Sequence, residues 1–304
     1  MVIKMEKNIF KTGQSRVLAV HDICGIGKCS LTAAIPILSA AGIEVCPMPT
    51  AVFSNHTAFS SFNCFDLTDY LTPMAEEIKK QNVHFDAIYT GYLANGGQAE
   101  IIKSVIDMLA DDETRVIVDP AMADNGKLYA CLPDDFPMDM KKLCRIAAVI
   151  TPNVTEALLL LGKSTDKMPA GSEECGALAK ELGEDLGTNV VLTSVRFDSD
   201  RLGCAVWEHE EGKLSYISLA YVNHSYHGTG DIFSSVLTAA LLAEFSLVDA
   251  ARIAAEFVRD VIADTAEQHP ALWYGVNFEK HLAGLAGMIK QYSKKGAPPC
   301  KDTK

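Results

Sequence analysis

Apolar residues along this chain follow two rhythms that alternate. Short continuous runs stand at residues 17–20, 43–45, 85–90, 115–118, 147–151 and 189–193. Each is too short for a stable helix and reads as a buried strand. Between them, apolar residues return at three- and four-residue spacing over 31–41, 71–81, 98–109, 152–161 and 172–186, which predicts helices. Two runs, 202–207 and 214–219, flank an acidic turn at 208–212 and read as an antiparallel pair. Two more helices are predicted, one to about Ala243 and one over 247–265, with Ile253, Phe257 and Val261 on its core face. Strands that alternate with helices predict an α/β fold: one doubly wound, mainly parallel central sheet with helices on both faces. No internal repeat or linker divides it, so residues 15–292 form one expected domain. Residues 1–14 read as a flexible leader and 293–304 as a flexible tail. The proline-punctuated stretch 47–57 is expected at an edge or exposed.

Composition narrows the classes. The chain has 304 residues, 48% apolar and 22% charged, which suits a large core and excludes disorder. A formal net charge of -12 with no basic block argues against nucleic acid. Nine cysteines are scattered with no CxxC pair, which argues against a disulfide framework or structural zinc and for reduced core thiols. There is no apolar h-region after Met1 and no membrane-length apolar window, so a cytoplasmic protein is expected.

The chemistry gathers where predicted strands end. Open parallel sheets bind ligands beyond the carboxyl ends of their strands. Asp22, Tyr92, Asp119 and Asp124 all follow such ends and share one rim. Thr193 and Ser194 bring two hydroxyls there. The loop 121–135, with Lys127 and Tyr129, is either a lid or inert. Asn153 and Glu156, three apart, face one way on a first helical turn. Their oxygens suit hydrated Mg²⁺, but the same spacing is a capping box, and spacing alone favours the cap. His56 has no metal-ligand partner at useful spacing.

Two glycine segments matter differently. Residues 23–30, Ile-Cys-Gly-Ile-Gly-Lys-Cys-Ser, look like a P-loop through Gly27-Lys28. The pattern fails, because Asp22 stands where Gly is needed and Cys29 where Ser or Thr is needed. It also fails as a dinucleotide fingerprint, since Ser30 replaces the third glycine. The second segment, His227-Gly228-Thr229-Gly230-Asp231, opens a helix. It puts free backbone N–H groups and a positive dipole end around one carboxylate. Such a terminus favours phosphate, and the acid could take a proton from a hydroxyl. Alone, it is also what an ordinary loop before a helix looks like.

Taken together the motifs are more specific. Gly91-Tyr92-Leu93, Asp119-Pro120, Thr151-Pro152-Asn153-Val154-Thr155-Glu156, Thr193-Ser194 and Gly228-Thr229-Gly230-Asp231, in that order, resemble the ribokinase-like superfamily of small-molecule kinases. Phe53-Ser54-Asn55-His56-Thr57 resembles its pyridoxal/pyridoxamine kinase branch. The resemblance implies ATP-dependent phosphorylation of the 5′-hydroxymethyl group of a B6 vitamer. It implies Asp231 as base and the N–H groups of Gly228, Thr229 and Gly230 as the anion hole. It implies Asn153, Asp124, Thr193 and Ser194 beside the nucleotide, with Asp124 and Glu156 near Mg²⁺. It implies Thr50, Tyr92 and Tyr129 beside the pyridine ring, and His21 and Asp22 at its polar substituents. A monovalent cation such as K⁺ and a homodimer are implied as well. The chain departs from the branch at loop 23–30 and around Cys131, which bears on the preferred vitamer. Rival readings are a hydroxymethylpyrimidine kinase and a non-catalytic vitamer-binding protein on the same fold.

Overall fold

The computed structural model describes residues 13–269 and 271–293. The expected leader at 1–14, apart from Gly13 and Gln14, and the expected tail at 293–304, apart from Ser293, which ends the last helix, lie outside these residues. In chain order the elements are β1 (Arg16–Cys24), α1 (Ser30–Ala40), β2 (Glu44–Phe53), β3 (Cys64–Asp66), α2 (Thr68–Lys80), β4 (Ala87–Thr90) and α3 (Gly96–Leu109). Next come β5 (Arg115–Val118), β6 (Ala123–Asp124), β7 (Lys127–Leu128), α4 (Phe136–Cys144), β8 (Val149–Ile150), α5 (Val154–Leu160) and α6 (Ser172–Leu186). The last are β9 (Asn189–Arg196), β10 (Arg201–Glu208), β11 (Lys213–Ala220), α7 (Thr229–Leu242), α8 (Leu247–Gln268), a 3₁₀ turn (Phe278–His281) and α9 (Leu282–Ser293).

The main sheet has the order β11-β10-β9-β8-β5-β4-β1-β2-β3. Its centre, from β2 to β9, is parallel, while β3, β10 and β11 join at the edges by antiparallel pairing. The central strands are covered on both faces, which is why they read as unbroken apolar runs. In β1, Leu18 and Val20 enter one core with Leu71, Ile102 and Met140, under α2 to α6. Val17 and Ala19 enter the other with Ile37, Ile232 and Ala254, under α1, α7, α8 and α9. Both cores form because adjacent strand residues point to opposite faces.

The main differences from the periodicity have physical reasons. β1 and β2 extend past their apolar runs, to Cys24 and Phe53. Pro47 and Pro49 are tolerated because β3 covers β2 only over Ala51–Phe53, leaving both prolines where β2 has no outer neighbour. The loop 121–135 contains a hairpin, β6–β7, whose turn Asn125-Gly126 has φ of 51° and 78°. Asn-Gly is the dipeptide that accepts two positive φ values in succession. α4 buries Phe136, Met140 and Leu143 behind a short charged sequence, and α9 buries Leu285 and Ile289. Neither helix was expected, since each has only a narrow apolar stripe.

The chain leaves β1 towards β2 on one side and reaches β4, β5, β8 and β9 on the other. The switch between β1 and β4 opens a crevice at their carboxyl ends, where ligands bind in such sheets.

Candidate active site

A cavity of about 600 Å³ occupies that crevice. The end of β1 supplies Asp22 and Cys24, and the entry to α1 supplies Cys29 and Ser30; the loop after β4 supplies Tyr92; the segment after β5 supplies Asp119. The hairpin adds Asp124, Lys127 and Tyr129, and the start of α5 adds Asn153 and Glu156. Thr193 and Ser194 come from β9, and Gly228 to Asp231 from the start of α7.

Two expected residues lie off this wall. His21 and Asp22 are neighbours on a strand that continues past Val20, so they face opposite ways. Asp22 reaches the cavity, while the fully buried His21 ring stands edge-on to Tyr89, 4.3 Å between centroids. Burial pushes the imidazole pKa down to about 3, so it is neutral. Thr50 is also fully buried. Its hydroxyl donates to the Tyr92 carbonyl (3.4 Å), so it supports the Tyr92 loop from behind.

The α7 terminus has the geometry of an anion site. Gly228 is the N-cap, with φ 79°, and its carbonyl accepts from Ile232 N–H (3.1 Å). The N–H groups of Thr229, Gly230 and Asp231 precede the first intrahelical bond and have no acceptor in the helix. A Cβ on Gly230 would meet nothing within 4 Å, so a ligand can come close. Asp231 is half-buried and borders the cavity. Burial, then the charges of Asp119 and Asp22, push its pKa up to about 8, with the backbone N–H groups of Ser30 and of Asp231 itself pulling the other way. Its backbone carbonyl accepts from Ser235 Oγ (2.6 Å) and Tyr89 OH (3.3 Å), which fix the first turn of α7.

Asn153 and Glu156 form the capping box. Asn153 Oδ1 accepts from Glu156 N–H (3.0 Å), and Glu156 Oε2 accepts from Asn153 N–H (2.8 Å). Glu156 Oε1 also accepts from Met122 N–H (3.0 Å), and Asn153 Nδ2 donates to the Ala123 carbonyl (2.8 Å). One box therefore starts a helix and anchors the hairpin. Burial and the nearby Asp119 charge raise the Glu156 pKa, opposed by these N–H donors. Asp119, pushed up to about 7 by burial, accepts from Ser234 Oγ (2.9 Å).

Ala205 pairs with Leu192 and Gly203 with Val195, so Thr193 and Ser194 bulge out opposite Cys204. Ser194, at φ 61°, turns into the cavity wall. Lys28 does not line the cavity. Its Nζ pairs with Glu279 (2.6 Å) and lies 5.4 Å from the Phe278 ring centroid.

Sequence reasoning missed part of the wall. His56 and His227 meet on it with tilted rings, 4.7 Å between centroids, and burial with His227 beside it pushes the His56 pKa down to about 4. Cys24 and Cys29 bring their sulfurs within 3.8 Å. Phe53 and Phe62 supply its apolar part. Glycine spacing in 23–30 was the available signal for the thiols; nothing local paired the histidines, which are far apart in sequence.

Five carboxyl groups, Asp22, Asp119, Asp124, Glu156 and Asp231, line the cavity against a single lysine, Lys127. Among the described residues no three His, Cys, Asp or Glu side chains are set to hold a metal ion directly.

A model of the phosphomethylpyrimidine kinase family matches residues 15–272. The chain belongs to that family. Within the ribokinase-like superfamily, this family member falls in the pyridoxal kinase branch and is a kinase. It is similar to a protein from Bacteroides thetaiotaomicron described as a phosphomethylpyrimidine kinase and solved with pyridoxal: 36% identity, TM-score 0.85, covering 90% of this chain and 96% of that one. Pyridoxal kinase from Lactobacillus plantarum is 26% identical, with a TM-score of 0.82 over 91% of this chain and 99% of that one. A pyridoxine/pyridoxal/pyridoxamine kinase from Bordetella bronchiseptica is 27% identical over 83% of this chain and 89% of its own length.

Proposed function

We propose that this kinase transfers the γ-phosphoryl group of ATP to the 5′-hydroxymethyl group of a B6 vitamer. The observation that carries this reading is the site of Asp231: a carboxyl at a helix N-terminus, between two chemically different halves of one cavity. One half, with Phe53, Phe62, Tyr92, Tyr129 and Asp22, suits a flat ring with polar substituents. The other, with Asn153, Thr193, Ser194 and Asp124, suits a nucleotide. The 36% identical protein solved with pyridoxal supports the ring assignment.

In this reading Asp231 accepts the proton of the substrate hydroxyl as the oxygen attacks phosphorus in line. The N–H groups of Gly228, Thr229 and Gly230 stabilise the charge on the moving group. Mg²⁺ enters with the ATP phosphates. The acidic excess on the wall suits a hydrated cation, with Asp124 and Glu156 accepting from its waters. That acidity also leaves room for a monovalent cation such as K⁺. A homodimer belongs to the same reading, and light scattering at micromolar concentration tests it.

The deciding experiment measures Mg²⁺-dependent ATP consumption with pyridoxal, pyridoxamine, pyridoxine, hydroxymethylpyrimidine and ribose. Turnover of a B6 vitamer well above the others is expected. The family description favours one alternative, the pyrimidine, and its preferred turnover would replace the vitamer while keeping Asp231. No turnover in protein that binds ATP would leave a binding protein.

A further inference from the structure

Ser30 is the first residue of α1 and has φ 49°, in the left-handed region that side chains other than glycine rarely occupy. Such conformations persist where the surroundings hold them, and they concentrate at functional sites. Two observations place it. Its hydroxyl donates to Asp22 Oδ1 at 2.5 Å. Its neighbours Lys28 and Cys29 lie against Gly228, so closely that a Cβ there would overlap the Lys28 carbonyl. α1 and α7 also pack together, so their N-termini open on the same cavity.

We infer that Ser30 is a positioning residue that fixes the alcohol-side carboxylate beside the base, holding Asp22 by its hydroxyl. This rests on Asp231 being the base. The left-handed turn has a clear purpose here. It turns the Ser30 hydroxyl onto Asp22 while Lys28 and Cys29 stay against Gly228. Asp22, with Oδ1 held by Ser30 Oγ and Oδ2 by Cys24 Sγ (3.3 Å), cannot swing towards Asp231. Asp22 lines the cavity, so its remaining lone pairs are open to the alcohol.

The groups around both carboxyls define the pH readout. Asp231 is faced by Asp22 and Cys29 from the first loop, Asp119 after β5, Tyr89 from β4 and Tyr129 from the hairpin. Asp22 is faced by Ser30, Cys24, Cys29, Tyr92, Cys64 and Asp231. The Ser30 hydroxyl favours ionised Asp22, and the Asp22 charge raises the Asp231 pKa. Removing the hydroxyl leaves Asp22 neutral to higher pH, so the acid limb of the rate profile moves to lower pH.

The test compares Ser30→Ala, Ser30→Gly, Asp22→Asn, the double variant Ser30→Ala/Asp22→Asn, and Asp231→Asn. Loss of a hydrogen bond to a charged group predicts a fall of about 10- to 100-fold in kcat/KM for the alcohol in both Ser30 variants. KM for ATP stays unchanged. Ser30→Gly relieves the backbone strain, so it melts at or above the wild-type temperature yet stays slow. In the Asp22→Asn background, Ser30→Ala adds nothing further, because the hydroxyl acts through Asp22. Full additivity in the double variant, or wild-type kcat/KM and pH profile in the Ser30 variants while Asp231→Asn is inactive, would overturn the role of Ser30. Near wild-type turnover in Asp231→Asn would instead overturn the base assignment.

Discussion

Gly228 and Lys28 meet backbone to backbone: a Cβ on Gly228 would overlap the Lys28 carbonyl oxygen, and Gly228 itself has φ 79°. Both facts demand glycine at the entry to α7. Gly228→Ala is therefore expected to cost about 1–3 kcal/mol of stability and to displace the free N–H groups, lowering kcat. Gly230→Ala has no such obstacle, because its Cβ would stand in open space on the cavity side. It should melt close to the wild-type temperature and raise KM for ATP. Thermal melts with nucleotide titrations separate the two; equal loss of stability would contradict this division.

Asp231→Asn should keep the fold and lower kcat by roughly 10²–10⁴. Ionised Asp231 is the working form, so wild-type kcat/KM should rise with pH up to about 8. Stability runs the other way. The folded pKa lies above the ordinary 3.8, so this group's contribution is full below that value and is lost as pH rises through about 8. The variant carries no such charge, so its melting temperature should exceed wild type at pH 8.5 by at least about 2 °C, with the gap closing towards pH 4. A gap that widens on acidification would mean the carboxyl is not held in this environment.

Glu156 combines a cap with a cavity wall. Glu156→Gln should lower stability by about 0.5–2 kcal/mol through the capping box. It should also raise the Mg²⁺ concentration needed for half-maximal rate. Chelation of Mg²⁺ should stop wild-type turnover without unfolding the protein. An unchanged Mg²⁺ titration in the variant would leave Glu156 with the cap alone.

Lys28→Ala tests the apparent P-loop directly. Its ammonium is paired with Glu279, whose side chain is 50% exposed, so the loss of stability should stay below about 1 kcal/mol. Lacking any place on the cavity wall, Lys28 should leave kcat/KM within about threefold of wild type. A fall of a hundredfold would mean that the lysine reaches the phosphates.

The sequence by itself determined the alternation of strands and helices, because burial on both faces of a parallel sheet writes unbroken apolar runs that local composition reveals. β5 and α6 match their predicted spans, and the Gly228-Thr229-Gly230-Asp231 terminus was legible, since glycine and a helix start are local signals. Tertiary structure decided what depends on direction and on distant partners. His21 and Asp22 could not be told apart until β1 was seen to continue past Val20, because strand parity sends one ring into the core and one carboxyl to the cavity. Thr50 faces Tyr92 through a pairing register that one strand's sequence does not contain. His56 meets His227, and Asp22 stands near Asp231, only because the sheet's switch point brings the ends of β1 and β2 and the start of α7 to one crevice. Such contacts join residues held together by packing, and chain spacing carries no record of them.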